Sequence, residues 1–250
     1  MEEFKRLNPF ILEELENLDF KKILTNEQMD DRFKTFAGDA LNIHIIKSAD
    51  EIDAPKTSFP AEYLHQLYDD EETIVGYMDP EIDVYFTPAS MHCYLKIEYE
   101  DKKPDAEDLK KGFNELWQAG YTEDVEEFKK YLEQDKKFTP PGIMFNEFET
   151  DDKSYQAYYV DDPTEPEFLE FNRRAQVLLV FFIETGSYID DEDPDWKVMT
   201  LFEKDKETGQ YYLCGYITYY LFFKESNKYR CRISQQIILP NYQRKGLGAK

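Results

Sequence analysis

The chain has 250 residues, of which 41% are hydrophobic and 16% aromatic, so it can bury one large core or two smaller ones. Its formal charge of −23 argues against direct binding of nucleic acid or of an anionic membrane surface, and favours a basic peptide or protein as partner. No apolar run approaches the roughly 20 residues that cross a bilayer, and the first ten residues lack the pattern of a signal or transit peptide.

The first part of the chain alternates predicted helices and strands. Residues 10–20 have the apolar spacing of an amphipathic helix, and residues 41–47 indicate a strand. Residues 59–70 favour a helix that Pro60 opens, and residues 83–88 indicate a second strand. These segments predict a mixed α/β domain.

The next segments extend this pattern. Residues 91–100 predict a strand with one buried face, because apolar and polar side chains alternate along it. Two charged amphipathic helices are predicted at 104–120 and 124–135, and the first of them ends at Gly120.

A domain boundary is expected near residue 137, where the stretch KKFTPPG breaks every periodicity. The sequence therefore predicts one domain at 1–137 and a second at 138–250. In the second domain the predicted order is strand, strand, long helix, strand, strand, strand and turn. The predicted fold class is α+β.

The long helix of the second domain carries clear signals. Thr164 and Glu167 form a capping-box pattern, and Pro166 lies in the first turn, where its missing N–H does no harm. Residues 175–183 are apolar almost all round, which predicts that this part of the helix is buried.

A hairpin and a final strand follow. Residues 196–204 and 211–223 flank the turn DKETGQ as an antiparallel hairpin, and residues 229–239 form the last strand before the closing turn. Strict alternation places five side chains on one face of this strand: Cys231, Ile233, Gln235, Ile237 and Leu239.

The three cysteines are Cys93, Cys214 and Cys231. Their odd number and wide spacing argue against a disulfide framework or a zinc site. We expect reduced thiols in an intracellular protein. No metal site is predicted, because the three histidines share no ligand-like spacing.

The closing stretch QRKGLG has the features of a pyrophosphate-binding turn. Gly246 and Gly248 let a ligand approach the backbone, and Arg244 and Lys245 add positive charge between a strand and an expected helix. The P-loop and dinucleotide-binding patterns are absent. The stretch fits Q/R-x-x-G-x-G/A and resembles the acetyl-CoA loop of GCN5-related N-acetyltransferases. The alternative is a glycine-bearing turn with a solvated basic pair.

Four separated segments resemble the catalytic subunit of type B histone acetyltransferases: FPAEYLHQLYDDEETIVGY, FFIETGSYIDDEDPDW, GYITYY and RISQQIILPNYQRKGLGA. They occur in the order expected for that family, and the similarity covers most of residues 41–250. The resemblance implies an N-terminal domain specific to these enzymes, followed by a GCN5-related N-acetyltransferase fold that is cut off after the pyrophosphate loop. We therefore expect a fragment of a longer protein.

The resemblance also implies which residues bind acetyl-CoA, the acetyl donor. They lie at the end of the last strand and in the turn that follows: Gln236, Ile237, Ile238, Gln243, Arg244, Lys245, Gly246, Leu247 and Gly248. Backbone N–H groups near Ile237 and Ile238 would stabilise the oxyanion of the tetrahedral intermediate. No cysteine has the setting of a nucleophile, which favours direct attack of a lysine amine on the thioester.

Acetyl transfer to lysine needs a base, because only about one lysine in a thousand is neutral near pH 7.4. Glu184 is the best candidate in the sequence, since partial burial at the end of the apolar helix would raise its pKa. The alternative is that Glu184 caps the helix or pairs locally near Gly186. The resemblance favours the catalytic role, and implies a further Glu-Asp pair beyond Lys250.

Two acidic runs, at 69–72 and 190–193, flank the region where the resemblance puts a histone groove. They are either solvated loops or attractors of a basic tail. Glu72, Trp196 and Tyr220 match substrate-contacting positions of the family, and the two aromatic rings would line a channel for the lysine methylenes.

The resulting hypothesis is a lysine N-acetyltransferase that moves acetyl from acetyl-CoA to the amino-terminal tail of newly synthesised histone H4, in the nucleus and cytoplasm. The resemblance implies a WD40-repeat histone chaperone subunit as partner. Two alternatives stay open: a non-catalytic acidic module that binds histones, and an N-acetyltransferase for another acceptor.

Overall fold

The computed structural model describes residues 31–150, 152–224 and 228–249, and the helix predicted at 10–20 lies outside them. The architecture is α+β, as the sequence predicts, with a four-stranded mixed sheet and a five-stranded antiparallel sheet. None of the helices in these ranges is long and apolar enough to cross a membrane.

The four-stranded sheet is built before residue 137. The strands of this part are β1 (Lys34–Phe36), β2 (Leu41–Ile45), β3 (Ser58–Pro60), β4 (Thr73–Val75), β5 (Tyr77–Met78), β6 (Glu81–Phe86), β7 (Cys93–Glu98) and β8 (Asp101–Lys102). Its helices are α1 (Ala37–Ala40), α2 (His65–Tyr68), α3 (Lys111–Leu116) and α4 (Val125–Asp135). The sheet order is β3-β2-β6-β7, with β2 and β6 parallel and the other neighbours antiparallel. The predicted strands at 41–47, 83–88 and 91–100 and the predicted helix at 124–135 are confirmed.

Strand β7 is buried on both faces at its start, not on one as predicted. Cys93 and Leu95 face the main core, but Tyr94 is also buried, on the opposite face. Its ring stacks on Phe128 of α4, with the centroids 5.6 Å apart. Helix α4 therefore covers the face that the alternation pattern left to solvent.

The helix predicted for residues 59–70 is wrong over its first half. Pro60 pairs with Asn42 as the last residue of strand β3, so it is extended and cannot open a helix. The helix is limited to α2. Its first turn forms where the Glu72 carboxylate accepts the backbone N–H groups of Leu64 and His65, at 2.6 and 2.9 Å.

The helix predicted for residues 104–120 is limited to α3, because the chain before it is tied to other elements. The Lys103 N–H donates to the carbonyl of Gly76 at 2.8 Å, and the Tyr77 hydroxyl donates to the carbonyl of Glu107 at 2.7 Å. Ala106 also packs directly on Gly76. These contacts hold residues 103–107 beside β5, so the helix begins only at Lys111.

The five-stranded sheet follows residue 137. Its strands are β9 (Ile143–Thr150), β10 (Lys153–Val160), β11 (Trp196–Lys204), β12 (Tyr211–Lys224) and β13 (Lys228–Ile238), and its helices are α5 (Pro166–Ala175) and α6 (Leu178–Phe182). Neighbouring strands follow chain order and all pairs are antiparallel. The predicted hairpin is confirmed as β11 and β12, and the predicted last strand as β13.

The predicted long helix is interrupted between α5 and α6, where Leu179 and Val180 donate to carbonyls only three residues back. The capping box is also wrong. Glu165 is the N-cap, and the Thr164 hydroxyl instead donates to Asp162 at 2.6 Å. The predicted burial is confirmed, since α6 is buried along most of its length.

One apolar core runs through both sheets. Phe138, just after the predicted boundary, packs against Phe171 of α5 and Phe202 of β11, with ring centroids 5.7 and 5.8 Å away. The Leu213 N–H of β12 donates to the carbonyl of Pro88 at 2.7 Å. The division near residue 137 stays a prediction, and the two sheets share this core.

Candidate functional site

The turn at residues 184–188, which follows α6, is held by elements distant in sequence. The Nε2 of Gln66 in α2 donates to the carbonyl of Gly186 at 3.2 Å. The Tyr188 hydroxyl donates to the carbonyl of Leu116, at the end of α3, at 2.9 Å. A tyrosine hydroxyl is protonated at neutral pH, and burial raises the pKa of Tyr188 further, so this hydroxyl stays a donor.

Glu184 is exposed at the start of this turn. The predicted burial of this residue is wrong, because Ile183 leaves the helix in an extended conformation and turns the next side chain outward. Within the described residues the Glu184 carboxylate makes no hydrogen bond or ion pair. The alternative of local capping therefore gains no support.

Gln235 of β13 bridges the five-stranded sheet to the turn. Its Oε1 accepts the Thr218 hydroxyl of β12 at 2.6 Å, and its Nε2 donates to the carbonyl of Ser187. Both Gln235 and Thr218 are buried, with 8% and 1% of their surface exposed. The strand that leads into the glycine-containing turn is thus bonded to the segment that carries Glu184.

A β-bulge at Ser234 changes which side chains of β13 face the core. Thr218 pairs with Gln235, whereas the next residue, Tyr219, pairs with Ile233, so Ser234 is an extra residue. Side chains before the bulge are exposed and those of alternate residues after it are buried. The predicted single face is therefore wrong: it is divided between Cys231 and Ile233 on one side and Gln235, Ile237 and Leu239 on the other.

The outer edge of β13 has no neighbouring strand within the described residues. The carbonyl O of Ile237 lies only 2.1 Å from the position that a Cβ on Gly215 of β12 would occupy. The carbonyl of Ile238 instead accepts from Gln243 Nε2 at 2.9 Å. Because backbone groups alternate along an antiparallel strand, those of Gln236 and Ile238 face the open edge.

Side-chain hydrogen bonds to the backbone shape the turn after β13. Gln236 Nε2 donates to the carbonyl of Gly248, and Lys245 Nζ donates to the carbonyl of Asn241, both at 2.8 Å. Leu247 is buried and anchors the turn to the core. The turn therefore has a defined shape with its basic side chains at the surface.

The backbone of this turn presents unpaired donors. Arg244 and Gly246 have positive φ angles of 61° and 72°, and a Cβ on Gly246 would meet nothing within 4 Å. Within the described residues, no acceptor takes the backbone N–H groups of residues 245–248. Successive free N–H groups beside cationic side chains are the kind of arrangement that can bind an anion.

Trp196 and Tyr220 are brought together across β11 and β12. They are direct partners in the strand register, and their ring centroids lie 5.1 Å apart at 76°. A hydrogen bond to Asp193, with Asp195 and Asp190 nearby, raises the pKa of the Tyr220 phenol. The pair therefore lies directly beside the acidic run at 190–193.

That acidic run is anchored at Asp191 and, two residues beyond its end, at Asp195, rather than freely solvated. Asp191 accepts from Arg173 Nε of α5 at 2.8 Å. The Leu221 N–H of β12 donates to the carbonyl of Asp195 at 3.3 Å. These bonds hold the carboxylates next to the aromatic pair.

Glu72 lies at the other acidic run and has a structural task as well. Its Oε1, which caps α2, is also 3.7 Å from His65 Nδ1. Helix α2 carries Gln66, so Glu72 is linked to the 184–188 turn through this helix. A cleft of about 830 Å³ lies next to it, and its charged lining residues are five acidic ones and two lysines: Asp69, Asp105, Glu107, Asp108, Glu115, Lys103 and Lys111.

The geometry brings the aromatic pair, the 184–188 turn and the end of β13 to one side of the sheet. Thr218, which bonds Gln235, lies two residues from Tyr220 and on the same face. Sequence reasoning missed Gln66, Gln235 and Thr218, because no local spacing signals bonds across such distances in sequence.

Known proteins resemble this chain over most of its length. Residues 33–184, more than half of the chain, match the family described as Histone acetyl transferase HAT1 N-terminus. The histone acetyltransferase type B catalytic subunits of Rattus norvegicus and Homo sapiens are each 28% identical over 232 residues, which cover 87% of this chain and 55% of theirs. One from Dictyostelium discoideum is 30% identical over 218 residues, 82% of this chain and 46% of its own. The chain spans about half the length of the curated relatives it matches, and it belongs to the family of type B histone acetyltransferase catalytic subunits.

Proposed function

We propose that this chain is the part of an acetyl-CoA-dependent histone lysine N-acetyltransferase that binds the acetyl donor and the tail of newly synthesised histone H4. The observation that carries the proposal is the run of unpaired N–H groups at residues 245–248, in the turn that follows a strand bonded to the Glu184 turn. The names of the relatives support the acetyltransferase class.

The residues after β13 suit the pyrophosphate of acetyl-CoA. Four successive N–H groups lack an acceptor within the described chain, Gly246 leaves open space above the backbone, and Arg244 and Lys245 supply positive charge. The thioester supplies an activated acetyl group when it is bound. At the open edge of β13, the outward N–H of Ile238 is suited to stabilise negative charge on the acetyl oxygen, with Gln236 and Ile237 beside it.

Glu184 is suited to take the proton from the lysine amine. Its carboxylate is exposed and makes no competing bond within the described residues, while the turn that carries it is fixed to α2, α3 and β13. A base must be held close to the amine to assist its attack.

Trp196 and Tyr220 are proposed to contact the lysine methylenes, and the carboxylates at 190–193 to attract the basic tail. Glu72 adds charge at the rim while it caps α2. The cleft beside α2, with more acidic than basic lining residues, is proposed as a second contact region for a basic tail. A charge of −23 for the whole chain favours a basic substrate.

The finer fold assignment belongs to this proposal. Residues 138–250 would be the first part of a GCN5-related N-acetyltransferase domain, and residues 1–137 the N-terminal domain specific to these enzymes. The proposed partner is a WD40-repeat histone chaperone subunit, and the proposed compartments are the nucleus and the cytoplasm. The antiparallel meander that ends at the glycine-containing turn supports the fold part of the proposal.

The test is acetyl-CoA binding to the protein and to its Gly246→Asp variant, measured by calorimetry. The added carboxylate repels the pyrophosphate and blocks its approach, so affinity should fall by about tenfold or more. Gly209→Asp is a matched control, because Gly209 also has a positive φ, 71°, with nothing within 4 Å of the position that a Cβ would occupy, but lies in the β11–β12 turn. Equal affinity in all three proteins would refute the cofactor site.

Acetyl transfer to peptides separates the remaining functions. Transfer of labelled acetyl from acetyl-CoA to an H4-tail peptide supports the proposal. Binding of that peptide without acetyl-CoA binding would identify a non-catalytic histone-binding module. Transfer to small amines in preference to the peptide would identify another acceptor.

A further inference from the structure

The amide of Gln235 occupies the point where three parts of the candidate site meet. On one side it accepts from Thr218 in the sheet, and on the other it donates to the carbonyl of Ser187, three residues after Glu184. A carbonyl can only accept, so the Nε2 must face Ser187 and the Oε1 must face Thr218. The side chain therefore has one orientation.

The β-bulge at Ser234 is what gives Gln235 this position. With an unbroken register, Gln235 would share the exposed face of Ile233 and could not reach the turn. The extra residue turns Gln235 onto the buried face, opposite Thr218. The β-bulge therefore makes the hydrogen bond between β13 and the turn possible.

The same strand continues for only three residues to Ile238, whose backbone faces the open edge. The Gln235 side chain therefore links the strand that carries this edge directly to the turn that begins at Glu184. Gln66 of α2 donates to the neighbouring carbonyl, that of Gly186. Acyl transfer is sensitive to displacements of about 1 Å in such spacings.

We infer that Gln235 is a positioning residue, which aligns the Glu184 carboxylate with the acetyl group bound at the edge of β13. This inference rests on the proposed function. Gln235 itself touches neither the lysine nor the acetyl group, and acts through the carbonyl of Ser187.

The test compares Gln235→Leu with Gln156→Leu. Gln156 is a matched control, because it is also a buried glutamine of the five-stranded sheet, with its amide bonded to Glu147 and Tyr158. In steady-state transfer to an H4-tail peptide, Gln235→Leu should lower kcat by about 10- to 100-fold and leave KM within about threefold. Gln156→Leu should leave kcat near the wild-type value. Equal kcat values for the two variants overturn the inference.

Gln235→Glu supplies a readout that a purely structural role would not move. Its protonated carboxyl can donate to the carbonyl of Ser187, whereas the ionised form can only repel it. Activity of this variant, relative to wild type at each pH, should therefore recover as the pH is lowered. A constant ratio across pH overturns the inference.

Amide hydrogen exchange separates this inference from the proposed function. Exchange at residues 185–188 should accelerate in Gln235→Leu and stay unchanged in Gln156→Leu. If wild-type protein transfers no acetyl group, the proposed function fails and the exchange result alone decides whether Gln235 holds the turn. Unchanged exchange in Gln235→Leu overturns the inference.

Discussion

Protonation of His92 is expected to make the protein less stable in mild acid. The Ser90 hydroxyl donates its one proton to Asp135, so the His92 Nδ1, 2.8 Å from the Ser90 oxygen, must carry a hydrogen and donate. The ring stacks on Tyr131 with the centroids 4.3 Å apart. Burial, with a smaller effect from the Arg174 charge, lowers the pKa of His92 from 6.5 to about 4.

The sign and size of the effect follow from that pKa. Between pH 6.5 and about 4, His92 is protonated in the unfolded chain but not in the folded chain. The free energy of unfolding therefore falls as the pH falls. One pKa unit corresponds to about 1.4 kcal/mol, which gives a loss of about 1.4 kcal/mol by pH 5.5 and about 3 kcal/mol in full. The raised pKa of Asp135, caused by burial, acts in the opposite direction.

The assay is urea unfolding followed by tryptophan fluorescence from pH 7.5 to 5.5, for wild type and His92→Asn. The asparagine amide can replace the Nδ1 donor but cannot be protonated, so its stability should depend less on pH by about 1.4 kcal/mol over this range. Because Asp135 is present in both proteins, its contribution cancels in the comparison. Identical pH dependence in both proteins would refute the reasoning.

Two further predictions concern the five-stranded sheet. Gly215→Ala should lower the free energy of unfolding by about 1–3 kcal/mol, because the new Cβ would lie 2.1 Å from the carbonyl of Ile237; an unchanged midpoint in thermal unfolding would contradict the close approach. In the native protein a thiol reagent should modify Cys231, which is exposed, and spare Cys93 and Cys214, which are buried and whose pKa values burial raises. Mass spectrometry of the labelled protein before and after denaturation tests this prediction. Rapid labelling of all three cysteines in the native protein would contradict it.

The elements predicted well are those whose signal is local. Strands β11 and β12 alternate on either side of a clear turn, and α4 has the 3.6-residue spacing with Asp124 as its cap. The start of α2 was missed because distant groups decide it. Pro60 pairs with β2, and the side chain of Glu72 caps the helix from seven residues beyond its first residue.

In the candidate site, too, the features with a local sequence signal could be predicted and those that depend on distant contacts could not. The turn at 243–248 could be predicted from its glycines and basic residues, because a backbone that a ligand must approach closely needs glycine, which is visible in the sequence. The faces of β13 could not, because the bulge at Ser234 depends on which residues of β12 it pairs with. The exposure of Glu184 likewise depends on where α6 ends, and Ile183 is as apolar as the helix before it.

The net charge of the chain and the fixed position of its carboxylates have separate effects on the proposed reaction. The net charge of −23 attracts any basic peptide and raises its encounter rate, but this attraction does not determine which reaction occurs. Specific chemistry needs groups in fixed positions, and the segment from Glu184 to Asp195 is fixed. Gln66 and Gln235 bond its start, and β12 bonds its end. Because the acidic run and the Glu184 carboxylate belong to that one segment, in the proposed enzyme a tail bound at the first would lie beside the second. Attraction comes from the net charge, which these hydrogen bonds do not change, whereas alignment of the carboxylate depends on them, so their loss should lower turnover more than binding.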